Sequence, residues 1–133
     1  MKYMLDTNIC IYCIKKNPQK VFQRMQLEEI GDIGISVITY SELQFGVENS
    51  SNPEQNRIAL AEFIAPLEVV DYQAEAAEIY GSVRTFLTQR GKRIGPLDLL
   101  IAAHALQLKA TLVTNNVREF KRIPGLSVEN WTA

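Results

Sequence analysis

Short strand-like segments alternate with helical segments along the whole chain, and this alternation limits the fold more than any other sequence feature. Apolar, β-branched segments predict strands at 2–5, 33–37, 67–70 and 111–114, with a short last strand at 126–128. Apolar residues at helical spacing predict helices at 7–16, from Pro18 to a break at Gly31, and at 39–48, 54–64, 74–89 and 97–108.

This order predicts an α/β fold in which right-handed crossovers build a mainly parallel central sheet. Helices should cover both faces, which gives three layers, α/β/α. The helix at 97–108 is apolar nearly all round and should therefore be buried. The chain has 133 residues and no internal repeat, low-complexity tract or linker, so we expect a single domain spanning 1–133.

Composition narrows the function classes. A net charge of −1 argues against a generally basic nucleic-acid coat, so nucleic-acid binding would need a local basic patch. No apolar run approaches the length of a membrane span, and Asp6 and Asn8 interrupt any signal core, so we expect a cytoplasmic protein without membrane contact. Cys10 and Cys13 form a lone C-x-x-C pair inside an apolar helix, which favours packing over a zinc or redox site.

Acidic and amide side chains follow the predicted strands. Asp6 closes the first strand, and Glu42 and Asp98 lie in the predicted first turns of the helices opened by Thr39 and near Pro96. Asn116 and Glu119 follow the strand that ends at Thr114. The carboxyl ends of parallel strands and the following helix N-termini share one edge of a sheet, where ligands bind. We therefore expect these side chains to lie close together.

Each residue also has a purely structural interpretation. Asp6 can be a helix N-cap, Thr39 and Glu42 fit a capping box, and Asp98 can complement a helix dipole. The two later residues can be a turn amide and a solvated charge. Together, however, carboxylates about 4 Å apart repel by about 4 kcal/mol at an effective dielectric constant of 20. They must take up protons or hold a cation, and oxygen ligands suit Mg²⁺ or Mn²⁺.

Four segments carry a family resemblance: LDTN at 5–8, TYSEL at 39–43, DLLIAAHA at 98–105 and TNNVREF at 114–120. Together and in this order they resemble the PIN-domain ribonucleases, most closely the VapC toxins of bacterial toxin–antitoxin pairs. The resemblance extends over essentially the whole chain.

The resemblance implies a toxin that is a Mg²⁺-dependent endoribonuclease, with Mn²⁺ as a substitute ion, hydrolysing a structured RNA such as tRNA. It also implies a homodimer inhibited by a VapB-type antitoxin. The metal ligands and catalytic residues would be Asp6, Glu42 and Asp98. Where many members have a fourth acid, this chain has Asn116, with Glu119 three residues later. The fourth ligand could be either residue, directly or through water.

Further polar residues have two interpretations each. Three polar residues near the proposed ion could either orient its ligands or cap a helix: Thr7, Asn8 and Thr114. Three cations could either contact RNA phosphates or simply be exposed to solvent: Lys92, Arg93 and Arg118.

Two other function classes remain. A phosphotransferase of the haloacid-dehalogenase type also starts with a strand ending in Asp, but it needs an acid two residues later, where this chain has Asn8. A domain that binds RNA or protein without cutting would show no metal dependence and would tolerate replacement of the acids.

Overall fold

A five-stranded sheet forms the centre of the computed structural model, which describes residues 1–133. The strand order is β3-β2-β1-β4-β5, and every neighbouring pair is parallel. The strands are β1 (Tyr3–Leu5), β2 (Ile33–Ser36), β3 (Glu68–Val70), β4 (Thr111–Val113) and β5 (Val128–Glu129). The helices are α1 (Thr7–Lys15), α2 (Gln19–Gln26), α3 (Val37–Glu48), α4 (Pro53–Ile64), α5 (Ala74–Gln89), α6 (Pro96–Leu108) and α7 (Val117–Phe120).

Two apolar cores lie on opposite faces of the sheet, because side chains alternate along each strand. Leu5 and Ile35 belong to one core, together with Ile9 of α1. Met4 and Leu112 belong to the other. This confirms the three-layer α/β/α fold. Helix α6 is buried along much of its length, as its apolar sequence predicts.

The position of β1 determines where a site can form. The chain runs outward from β1 to β2 and β3, then crosses over to place β4 on the other side of β1. Tyr3 therefore pairs with Ile33 on one side and Thr111 on the other. In such sheets the crevice at the carboxyl ends of the strands, where the order reverses, is the usual ligand site. Here that crevice lies beyond Leu5 and Val113.

Close strand packing explains one glycine. A Cβ at Gly34 of β2 would lie 2.7 Å from the Glu68 carbonyl oxygen of β3. That distance is too short for a carbon–oxygen contact, so the pairing of these two strands requires glycine.

The capping box predicted for α3 is wrong. The helix begins at Val37, and Ser36 caps it by accepting a hydrogen bond from the Ile38 amide at 3.0 Å. Thr39 consequently lies within the first turn and is buried, and Glu42 lies in the second turn rather than the first. The serine that closes β2 takes the capping position before Thr39 can do so.

Smaller differences concern the ends of the chain's elements. Helix α2 ends at Gln26, before Gly31, and the last strand is Val128–Glu129 rather than 126–128. The short helix α7 is absent from the sequence-based expectation. Cys10 and Cys13 are buried and unpaired, as expected of packing residues. None of the helices has the length and apolarity needed to traverse a membrane.

Candidate active site

Asp6 is the most buried of the predicted metal ligands, with 5% of its surface exposed. It follows β1 directly and caps α1, because its Oδ1 accepts a hydrogen bond from the Ile9 amide at 3.0 Å. Burial raises the pKa of the carboxyl from 3.8 to about 6, although interactions with the Thr114 side chain and the Ile9 amide oppose this. The charges of Asp98 and Glu42 raise it further. The predicted capping role of Asp6 is confirmed, but the capping hydrogen bond lowers the pKa, and burial and the neighbouring acids outweigh it.

Asp98 and Glu42 approach Asp6 from two different helices. Asp98 is the third residue of α6, where a proline at the first position fits the helix start. Burial raises the pKa of the Asp98 carboxyl, and the negative charges of Glu42 and Glu119 add to the effect. The structure therefore brings four acidic side chains into electrostatic contact: Asp6, Glu42, Asp98 and Glu119.

Neighbouring polar groups orient some of these acids. Thr7 Oγ1 donates a hydrogen bond of 2.6 Å to Glu42 Oε1. Asn116 Nδ2 donates one of 2.9 Å to Glu119 Oε2, so these two side chains form a pair. The buried Thr114 Oγ1 accepts a hydrogen bond from the Asn116 amide at 2.9 Å and fixes the start of this segment. In contrast, the side chain of Asn8 is exposed.

The acids interact electrostatically but do not form a closed ligand set. Nowhere in the chain do three Asp, Glu, His or Cys side chains lie close enough together to hold one metal ion as they stand. Like charges that face each other separate, and Glu42 is drawn to Thr7 while Glu119 is drawn to Asn116. The donor atoms are all carboxylate and amide oxygens, which are the ligands that a hard divalent cation prefers.

No basic side chain neutralises this acidic cluster. The ion pairs of the chain involve other acids, namely Glu28, Glu48, Glu54 and Glu129. Two segments with exposed cations meet nearby instead, since Arg122 Nη1 donates a 3.1 Å hydrogen bond to the Arg93 carbonyl oxygen. Lys92, Arg93 and Arg118 are all exposed. A basic rim thus runs from the loop before α6 to α7.

Sequence reasoning missed one polar contact that supports the site. Ser36 Oγ lies 2.7 Å from His104 Nδ1, and both side chains are buried. The bond joins the start of α3, which carries Glu42, to α6, which carries Asp98. A serine at a strand-to-helix junction was the available signal, but its partner is 68 residues away.

Comparison with known proteins identifies the family of the chain. The family model described as the PIN domain matches residues 3–126. Ribonuclease VapC2 of Rickettsia felis is 50% identical over 132 residues, covering 98% of each chain. The tRNA(fMet)-specific endonuclease VapC of Shigella flexneri is 43% identical, covering 99% of each.

A solved structure shares the fold over the same length. It is that of VapBC2 from Rickettsia felis bound to a DNA fragment from their promoter. The matched chain has a TM-score of 0.93 and 49% identity, covering 98% of this chain and 99% of that one. Sequence and structure comparisons therefore agree that this chain belongs to the PIN-domain family, among the VapC ribonucleases.

Proposed function

We propose that residues 1–133 act as one PIN domain, a toxin that hydrolyses RNA phosphodiester bonds with Mg²⁺, or Mn²⁺ as a substitute. Asp6, Glu42 and Asp98 would hold the ion. The observation that carries this proposal is the burial of Asp6 against two further carboxylates with no compensating cation. Such a cluster is costly for the fold at neutral pH unless a divalent ion balances it.

The residues around the proposed ion have different roles in binding it. Asp6 supplies a rigid oxygen, because the Ile9 amide fixes its carboxylate, and Thr7 orients Glu42. The fourth ligand is the Asn116 carbonyl oxygen or Glu119, directly or through water. When bound, Mg²⁺ lowers the pKa of a water nucleophile and offsets charge on the phosphate oxygens.

Charge-neutral substitutions test the assignment. Asp6→Asn and Asp98→Asn keep the size of each side chain but remove its charge, so cleavage of RNA in Mg²⁺ should fall by about 100-fold or more. Glu75→Gln is the matched control, because Glu75 is also an acid in the first turn of a helix but is exposed. Wild-type cleavage rates in both aspartate variants would contradict the proposal.

The RNA is proposed from the relatives. The Shigella flexneri protein is named for tRNA(fMet), so we propose a structured RNA of the tRNA type as substrate and, with it, action in the cytoplasm. Sequencing the new 5′ ends in total RNA after brief expression would identify the target and the cleavage site. Cuts confined to messenger RNA would reject the tRNA proposal.

An apolar groove offers a place for a VapB-type antitoxin, the partner in the Rickettsia felis complex. A groove of about 290 Å³ between α1, α3 and α4 is lined by Ile11, Ile14, Leu43 and Val47, with Glu42 also among its lining residues. An apolar segment of the antitoxin could fill it, and a cationic side chain could then reach the acids. Antitoxin binding there would block the site.

Two glycines provide a matched test of this groove. Gly46 of α3 lines it, and Gly81 of α5 does not; a Cβ at either position meets no atom within 4 Å. Gly46→Leu should fill the groove and weaken binding of the co-expressed antitoxin at least about tenfold, as two lost apolar contacts would. Gly81→Leu should bind normally. Equal affinities for the two variants would place the antitoxin elsewhere.

We also propose that the free chain is a homodimer, as the family resemblance implies. Sedimentation velocity of the chain without antitoxin should give the mass of a dimer, about twice 15.0 kDa. A single species at the mass of one chain would contradict this.

A further inference from the structure

A cavity of about 440 Å³ lies outside the acidic cluster, between α5, the loop before α6 and the start of α6. Its floor is apolar and consists of Leu87, Ile94 and Leu99, each at least nine-tenths buried. Leu99 follows Asp98 directly in the chain. The first turn of α6 therefore carries both a lining residue of the cavity and a proposed metal ligand.

Polar and basic side chains form the rim of this cavity. Arg84, Thr88 and Arg93 line it and are exposed. Arg84 Nη1 donates a 2.9 Å hydrogen bond to the Tyr80 hydroxyl, which directs the guanidinium toward the rim. No acidic residue lines the cavity. An apolar floor with two guanidinium groups above it suits a group that is flat and apolar on one side and anionic on the other.

The charge of the surrounding sequence favours the same occupant. Residues 79–97 contain four cations, Arg84, Arg90, Lys92 and Arg93, and no acid, although the whole chain has a net charge of −1. The Arg122–Arg93 hydrogen bond joins this stretch to the basic rim beside the acids. Cationic side chains are therefore present both on the cavity, through Arg93, and in the segment that carries Glu119, through Arg122, as binding of a polyanion across both would require.

We propose that this cavity is a nucleotide subsite for the RNA strand, next to the bond that is cut. A base and its ribose lie on the apolar floor, and Arg84 and Arg93 bind the adjoining phosphate. The assignment rests on the proposed ribonuclease function and adds to it a second point of RNA attachment. It also predicts that substrate affinity depends on α5, a helix that contributes no acid to the cluster.

Two kinds of variant test the subsite, each in an Asp98→Asn background so that RNA is bound without being cut. Arg84→Gln with Arg93→Gln should weaken binding of a single-stranded RNA about tenfold or more. The slope of log affinity against log salt should fall by about 0.7, the value for one neutralised phosphate on a single strand. Lys2→Gln with Lys20→Gln is the control, because it removes two exposed cations elsewhere.

Thr88→Trp tests whether the floor holds a base, since it fills the cavity without changing charge. It should weaken RNA binding at least about fivefold and leave the salt slope unchanged. Thr85→Trp is its control, because Thr85 is exposed on the same helix but does not line this cavity. Circular dichroism verifies folding of all four variants.

Three results would overturn the subsite. The first is that the double arginine variant loses no more RNA affinity than the double lysine variant. The second is that Thr88→Trp binds RNA as tightly as Thr85→Trp does. The third is that the variants change the sedimentation coefficient of the chain, which would make the cavity an interface between copies. Cleavage by the wild-type chain in Mg²⁺ is measured in parallel. If the wild-type chain cleaves RNA and the variants bind RNA with unchanged affinity, only the subsite is rejected. If the wild-type chain binds RNA but does not cleave it, the proposed function is rejected.

Discussion

Two groups of polar side chains connect helices α3 and α6, and they do so in opposite ways. At the open edge of the sheet, Glu42 of α3 and Asp98 of α6 repel each other and Asp6. In the interior, His104 of α6 meets Ser36, the cap of α3, across 2.7 Å. Burial lowers the pKa of the His104 ring and keeps it neutral.

The buried pair holds the two helices in position, whereas the acids at the sheet edge are arranged to bind a ligand. The His104–Ser36 bond satisfies the buried Nδ1 of His104 and the Ser36 hydroxyl, and it stabilises the contact between the two helices. The acids on the same helices are left with an unfavourable interaction that only protons or a cation can relieve. Helices held together from inside can present repelling charges at a fixed separation, which is what a cation site requires.

The largest expected effect comes from removing the charge of Asp6. A rise in pKa from 3.8 to about 6 corresponds to about 3 kcal/mol, so Asp6→Asn should raise the free energy of unfolding at pH 7 by up to that amount. Asp6→Ala should gain about 1 kcal/mol less, because it also removes the acceptor for the Ile9 amide. Urea unfolding in EDTA measures both.

Glu75→Gln is again the control, and its stability should stay within about 0.5 kcal/mol of the wild type. If Asp6→Asn is less stable than the wild type, burial and the neighbouring acids do not disfavour the charged Asp6 carboxylate as described, and the contrast with the His104–Ser36 pair fails.

The next largest expected effect is a decrease in the free energy of unfolding, and it comes from breaking the His104–Ser36 contact. Ser36→Ala removes the α3 cap and leaves His104 Nδ1 without its partner, so it should cost about 2 kcal/mol. Ser41→Ala is the matched control, since Ser41 lies on α3, is exposed and bonds only the Val37 carbonyl. Equal unfolding free energies for these two variants would show that the His104–Ser36 bond contributes nothing to stability.

The same contrast explains what the sequence could predict. Local periodicity was sufficient for the first four strands and the long helices, and Ala74–Gln89 has the predicted ends, because apolar spacing and breaking residues act over a few neighbours. Helix α7 has four residues, too few for any periodicity. The start of α3 was missed because Ser36 and Thr39 are both good caps, and His104, far along the chain, contacts the first of them.

The site divides in a similar way. Parallel topology alone predicted that Asp6, Glu42 and Asp98 would face one another, because it places strand ends and helix starts at one edge. The directions of the side chains could not be predicted, since the Thr7–Glu42 bond depends on the packing of α1 against α3. The basic rim could not be predicted either, because it depends on the hydrogen bond from Arg122 to the Arg93 carbonyl oxygen.

The smallest effect is a dependence of stability on pH. The raised pKa means that the folded chain binds a proton at Asp6 between pH 6 and pH 3.8, where the unfolded chain binds less. Charged Asp6 therefore destabilises the fold above pH 6, and this penalty is relieved as the pH falls. Unfolding in EDTA at several pH values should show the wild type gaining about 1 kcal/mol relative to Asp6→Asn between pH 7 and pH 5. His104 titrates equally in both proteins, so the difference isolates the acid cluster from the interior pair. A difference that stays constant over this range would mean that the carboxyl of Asp6 has an ordinary pKa, and the acids would then need no cation to balance them.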